Sequence, residues 1–290
     1  MGDDVSAPSP HGPKRSVPSL LVVGCGRLGV ALGRLVVADG GEVIGVRRRP
    51  GDLPDPFHTI AADVTESLRV PLPPVDSIVF TLPPNSGDIP AGGDVYERAL
   101  TGIAAAGTVT PQRVVFVSST RVFEGVAGSQ TVDEGTEPEP RSARAESLLN
   151  GERLAAGLFG AHVIRPAGIY GDGRDALVRR VRSGAEFDGG RLTNRIHQDD
   201  LALGIFEVLR SPQPPAILHA TDDHPAPLRD VATFIARTLG LEPPPFSDAR
   251  AESGRRISGA LFRTVAGPLT YPDYEAGYAH ILREHRSAAS

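Results

Sequence analysis

Lysine is nearly missing from this chain: Lys14 is the only one in 290 residues, so every other basic side chain is an arginine. Tryptophan is absent, methionine and cysteine occur once each, and aromatic residues make up 5%. One cysteine, Cys25, rules out an internal disulfide and a cysteine-rich metal site; it fits a reducing compartment, so a cytoplasmic location is expected. With a formal charge of −5 the chain lacks the basic excess that nucleic-acid phosphates demand, so a small molecule rather than nucleic acid is the expected partner. No apolar run approaches the ~20 residues of a membrane-spanning helix, and a membrane partner is not expected. Residues 1–17 lack a signal peptide's hydrophobic segment and hold Pro, Ser, Gly and Asp with little to bury, which predicts a disordered tail. No set of histidines and carboxylates has metal-ligand spacing, so no metal is expected. Oligomeric state leaves no mark on the composition.

What is present is patterned. Short apolar, β-branched runs are expected as strands at Leu20–Val23, Glu42–Val46, His58–Ala61, Ser77–Leu82, Arg113–Ser118, His162–Arg165 and Ala216–Ala220. Helical patterns fall at Arg27–Ala38, Val95–Ala106, Ala143–Leu158, Asp175–Ser183, Gln198–Leu209 and Leu228–Leu239. Near-continuous runs such as SIVFTL and RVVFVSS suit strands buried on both faces, as parallel strands are. The alternation predicts an α/β fold: a Rossmann-type doubly wound parallel sheet over residues 18–170. A small C-terminal substrate lobe over 171–290 is interleaved with the last core strand and helices.

The stretch SLLVVGCGRLGVALG places Gly24, Gly26 and Gly29 at the spacing G-x-G-x-x-G, directly after a strand and at the opening of a helix. In that context Gly24 makes the turn, Gly26 lets the backbone approach a pyrophosphate, and Gly29 lets helix and strand pack closely. The loop, Gly24, Cys25, Gly26, Arg27, Leu28 and Gly29, is therefore expected to hold a dinucleotide on the helix N-terminus. Where a NAD site places a carboxylate after the second strand, this chain has GVRRRP. Arg47 and Arg48 can pair with a 2′-phosphate that a carboxylate would repel, which points to NADP over NAD. Later strand ends should add Asp63 toward the adenine, Thr81 and Pro83 toward the nicotinamide, and Ser118.

Taken together, VVGCGRLG, VFVSSTRVFEG, RPAGIYGDGR, NRIHQDDLA and GRRISGALFRTVAGPLTYPDYEAG, in this order over residues 20–280, resemble the extended and atypical short-chain dehydrogenases/reductases, the NAD-dependent epimerase/dehydratase branch. That resemblance implies a bound NAD(P) and a substrate lobe from the C-terminal third. It also implies a serine or threonine after the fifth strand that positions a substrate oxygen, a role that falls to Ser119 or Thr120.

The family's Tyr-x-x-x-Lys pair has no counterpart. Arg144 stands in the tyrosine slot and Leu148 in the lysine slot, with no tyrosine between Tyr96 and Tyr170 and no lysine beyond Lys14. An arginine stays protonated and cannot cycle a proton. Three readings stay open: another proton donor such as Tyr170, His197 or Asp199; hydride transfer with Arg144 and Ser119 stabilising charge; or a protein that senses NADP(H) without turnover. The leading expectation is an NADP(H)-binding epimerase/dehydratase-like oxidoreductase acting on a small carbonyl or sugar-nucleotide-like substrate. The alternative is a non-catalytic NADP(H)-sensing regulator or scaffold.

Overall fold

The structure is a computed structural model; it describes residues 14–49, 51, 53–66, 72–83, 94–106, 111–126, 131–247 and 254–287. Seven parallel strands form the central sheet: β1 (Ser19–Val23), β2 (Glu42–Arg47), β3 (His58–Ala61), β4 (Ser77–Phe80), β5 (Arg113–Val117), β6 (His162–Pro166) and β7 (Ile217–Ala220). Their spatial order is β7-β6-β5-β4-β1-β2-β3. The chain reverses direction across the sheet between β1 and β4, which opens a crevice beyond the carboxyl ends of those strands.

Alternation within each strand feeds two cores. Leu20 and Val22 of β1 pack with Leu32 and Val36 of α1 (Arg27–Ala38), Ile205 of α5 (Gln198–Arg210) and Phe262 of α7 (Ala260–Ala266). Leu21 and Val23 turn the other way, onto Leu100 and Ile103 of α2 (Val95–Ala105) and Leu148 and Ala155 of α3 (Ala143–Phe159). Each such side chain contributes about 1.5–3 kcal/mol by leaving water, so the strands read as unbroken apolar runs. Local signals set the ends of α3: Ser142 Oγ accepts from the Ala145 N–H at 3.2 Å, and Gly160 stops the helix in the left-handed region.

A third cluster lies outside the sheet. Helices α4 (Ala176–Arg182), α6 (Leu228–Leu239) and α8 (Tyr274–Ser287) bury Val178, Ile235 and Ile281 around Tyr170 and Tyr278. A short parallel pairing of Gly168–Tyr170 with Arg195–His197 ties this lobe to the sheet; three-residue strands were too brief to stand out as a pattern.

All seven expected sheet strands are present, with two ending earlier than expected. The runs to Leu82 and Ser118 leave the ladder at Phe80 and Val117, and the next residues bend into the crevice. The disordered tail expected over 1–17 is corrected at its end. Residues 1–13 lie outside the described residues, but Lys14 pairs with Glu207 at 2.6 Å, the Arg15 N–H donates to the Arg210 carbonyl, and Val17 is buried in the core. No described helix is long and apolar enough to cross a membrane.

Candidate dinucleotide and substrate site

A cavity of about 370 Å³ lies beyond the carboxyl ends of β1, β4, β5 and β6. Its floor is the glycine loop. Gly24 has φ +83°, a value L side chains rarely adopt, and a Cβ there would meet Leu82 Cδ2 at 2.9 Å. Gly29 allows α1 to lie on β1, since a Cβ would come within 2.7 Å of Val22 Cγ1. Around Gly26 the space is open, with no atom nearer than the Gly24 carbonyl oxygen at 3.8 Å. Gly26 also caps α1 without a side-chain hydrogen bond, so the first-turn N–H groups and the positive end of the helix dipole meet the cavity unopposed by any capping side chain.

Neighbouring strand ends brace the loop. Thr81 Oγ1 donates to the Gly24 carbonyl at 2.9 Å, and its N–H donates to the Val23 carbonyl at 2.9 Å. Ser118 sits on a buried network: its hydroxyl donates to Glu152 Oε1 at 2.5 Å, and Arg165 grips the same carboxylate through Nε at 3.0 Å and Nη2 at 2.7 Å. Arg165 is thus committed inside the protein to Glu152 and is not free to grip a substrate anion. Arg195 is also buried and outside the cavity lining; it donates to Thr193 Oγ1, and its Nη1 has no hydrogen-bond partner among the described residues.

The cavity brings together Gly24, Gly26, Arg27, Leu28, Gly29, Thr81, Pro83, Ser118, Ser119 and Arg144 from the sequence-expected set. Ser119 accepts the Arg121 N–H at 3.2 Å as it starts a single 3-10 turn, Thr120–Phe123. Arg144 and Leu148 face the cavity from one turn of α3, with Leu148 buried in the core beneath.

Other expected residues lie elsewhere. Cys25 turns its thiol into the core, where burial pushes it up to about 11, and its N–H is spent on the Val46 carbonyl. Arg47 ends β2, Arg48 follows it and Asp63 follows β3; none of the three is in the cavity lining, although the end of β2 lies against the glycine loop, where Arg47 acts electrostatically on Cys25. Asp63 accepts from both the N–H and hydroxyl of Thr65, and with Arg48 nearby its carboxyl stays below the usual range. Thr120 is half-buried in its turn and is not part of the lining.

Tyr170 and His197, expected as proton donors, lie apart from the cavity lining. Both are buried in the C-terminal cluster and neither lines the cavity. The Tyr170 hydroxyl donates to the Asp273 carbonyl, its ring stacks on Tyr278 at 4.7 Å, and burial raises its pKa. His197 Nδ1 accepts the Asp199 N–H as the N-cap of α5, and burial pulls the imidazole down to about 4. Tyr170 and His197, paired across the two short strands, meet edge to face with ring centroids 5.2 Å apart.

The structure adds residues the sequence did not single out: Leu82, Tyr96, Val117, Arg121, Pro166, Ala167, Ile169 and Arg174. The rule that ligands sit beyond strand ends would have found Pro166 and Ala167 after β6. Nothing local marked Tyr96, which reaches in from α2 and donates to the Leu82 carbonyl at 3.3 Å. The finished lining has four arginines and, among the described residues, no carboxylate. A groove so charged, with open N–H groups at its floor, fits an extended phosphorylated ligand such as a dinucleotide.

No family model matches the chain. Among curated proteins it is 30% identical over 205 residues to protein YeeZ of Escherichia coli, covering 68% of this chain and 72% of that one. Among solved structures it overlays with TM-score 0.78 on a protein described as a NAD-dependent epimerase/dehydratase from Methylobacillus flagellatus. That pair is 28% identical, with 93% of this chain and 100% of that one covered. MoeE5, solved with UDP-glucose and NAD, shares the fold at 22% identity and TM-score 0.75 over 94% of this chain and 100% of that one.

Proposed function

The chain belongs to the NAD-dependent epimerase/dehydratase family of extended short-chain dehydrogenases/reductases, and from that premise we propose that it binds NAD(P)(H) in the cavity and acts as an oxidoreductase on a small carbonyl or sugar-nucleotide-like substrate. The observation that carries this reading is the carboxylate-free groove, floored by an uncapped helix N-terminus, at the strand-order reversal. A structural neighbour, MoeE5, holds UDP-glucose and NAD in its own site, which supports the substrate class.

When bound, the nicotinamide supplies or accepts the hydride. The chain's own part is to place and polarise the substrate. Ser119, at the mouth of β5, is positioned to donate to a substrate oxygen, and Arg144 supplies a fixed positive charge beside it. With Leu148 apolar and no lysine in the lining, the proton comes from water, from the substrate itself or from the Tyr96 hydroxyl on the cavity wall. Preference for NADP rests on Arg47 and Arg48 and on the absence of an acid at the end of β2; the NAD held by MoeE5 weighs toward NAD. Titrating NADPH and NADH by calorimetry, then screening carbonyl compounds and UDP-sugars for coenzyme oxidation, tests the reading. Binding of neither coenzyme at millimolar concentration would sink it.

A second reading is favoured by one observation, that Arg144 and Leu148 occupy the cavity wall where family enzymes carry their proton-transfer pair. On it the protein is an NADP(H) sensor: coenzyme binds, a partner interaction changes, and no substrate panel gives turnover. Loss of turnover on Ser119→Ala with binding retained favours the enzyme.

A further inference from the structure

Two of the four cavity arginines, Arg27 and Arg174, are neighbours with no ion pair among the described residues. Arg27 is the first residue of α1, on the nucleotide-binding side. Arg174 comes from the lobe, in a tight turn after the Gly168–Tyr170 strand that is closed by the Arg174 N–H on the Gly171 carbonyl at 2.9 Å. Gly173, at φ +67°, lets them meet: a Cβ there would lie 2.5 Å from Arg27 Nε. The Arg174 Nε donates to Gln198 Oε1 at 2.9 Å, and Gln198 is itself buried at the start of α5. One edge of the guanidinium is thereby fixed, while its terminal amino groups have no hydrogen bond among the described residues.

No ion pair among the described residues reaches either arginine. Asp175, next to Arg174 in sequence, is bonded to Arg179, while Asp172 acts on His197 and Asp199, and His280 acts on Asp199. Arg174 is half-buried, and both that burial and the charge of Arg27 hold its pKa below the usual arginine value. A half-buried cation held in place by Gln198 and an exposed one beside it repel each other, and an anion between them turns the repulsion into two attractions. The open N–H groups of the first turn of α1 converge on the same place.

We infer that Arg27 and Arg174 bracket the pyrophosphate of the bound dinucleotide, so that a lobe residue completes the cofactor site. The inference rests on the dinucleotide reading above and deepens it. Binding of coenzyme thereby links the lobe turn Gly171–Arg174 to the nucleotide-binding core, and Gln198 acts as a positioning residue that aims Arg174.

The test is calorimetric titration of NADPH, NADH, ADP-ribose and UDP-glucose into wild type, Arg27→Met, Arg174→Met and Arg174→Lys, with melting temperatures of the ligand-free proteins. Each Met variant is expected to lose about tenfold in affinity for both coenzymes and for ADP-ribose, as for a lost charge-assisted contact. Its ligand-free melting temperature should stay level or rise, because a like-charge repulsion is relieved, and Arg174→Lys should recover part of the affinity. Wild-type binding matched by all variants overturns the clasp and leaves the dinucleotide reading standing. A loss confined to UDP-glucose overturns it in favour of a substrate phosphate between the arginines. Weaker coenzyme binding with a lowered melting temperature, unrelieved by lysine, overturns it in favour of a purely structural Arg174. No binding of any adenine ligand by wild type defeats the underlying reading itself.

Discussion

Replacing Glu152 by glutamine removes one charge from a site where three hydrogen bonds converge on one carboxylate. Glu152 and Arg165 are 4% and 3% exposed, so water cannot take over as partner when the charge goes. The glutamine oxygen can still accept from Arg165, but its amide cannot neutralise the guanidinium, whose other close contact is the Phe123 ring face at 5.1 Å. Breaking one side of a buried ion pair costs about 3–5 kcal/mol, because the surviving charge stays buried and uncompensated. For a chain of 290 residues, an unfolding entropy of about 2.1 cal/mol/K per residue turns that loss into a drop of roughly 5–8 °C in melting temperature. Calorimetry and urea midpoints measure it directly. Removing both partners, as Glu152→Met with Arg165→Met, should cost clearly less than the sum of the single losses. A glutamine variant melting within about 1 °C of wild type, or strictly additive Met variants, would refute the claim that this network anchors Ser118 beneath the cavity.

The glycine loop gives a paired prediction: Gly24→Ala, at φ +83° and against Leu82, should lose about 1–2 kcal/mol of stability, seen in urea midpoints. Gly26→Ala meets open space and should fold normally, yet lose coenzyme affinity in calorimetry because its Cβ stands where the pyrophosphate approaches; unchanged binding would count against the loop as cofactor floor. Arg48→Glu should shift the NADPH-to-NADH affinity ratio about 10–100-fold toward NADH, as for loss of a charge-assisted phosphate contact; an unmoved ratio removes the case for NADP. Asp222 is buried beside Arg195, and burial pushes its carboxyl up to about 7 against the arginine's opposing pull. The folded state therefore holds this proton more tightly than the unfolded chain, whose aspartate titrates near 3.8. The resulting stabilisation is full below that value and fades as pH rises to about 7. Urea midpoints of wild type should thus fall relative to Asp222→Asn across this window; parallel profiles would show that Asp222 is already charged in the fold.

The amino-acid sequence by itself determined the sheet, its seven strands and the glycine loop, because each is a local pattern: an apolar run of strand length, a helical period, three glycines at fixed spacing. The lost proton-transfer pair was equally plain, since no tyrosine or lysine exists in the stretch that would carry it. Only the tertiary structure decided which polar groups face the cavity. His197, Tyr170 and Arg195 sit in motif-like segments but are buried away from the cavity lining, whereas Tyr96 reaches the cavity from a helix that gave no chemical signal and Arg174 from the end of a motif in which nothing set it apart. The physical reason is that a side chain's direction depends on how distant elements pack. Arg27 and Arg174, 147 positions apart in sequence, become neighbours because the lobe turn packs against the start of α1 and bonds to α5, long-range contacts that neither local segment encodes.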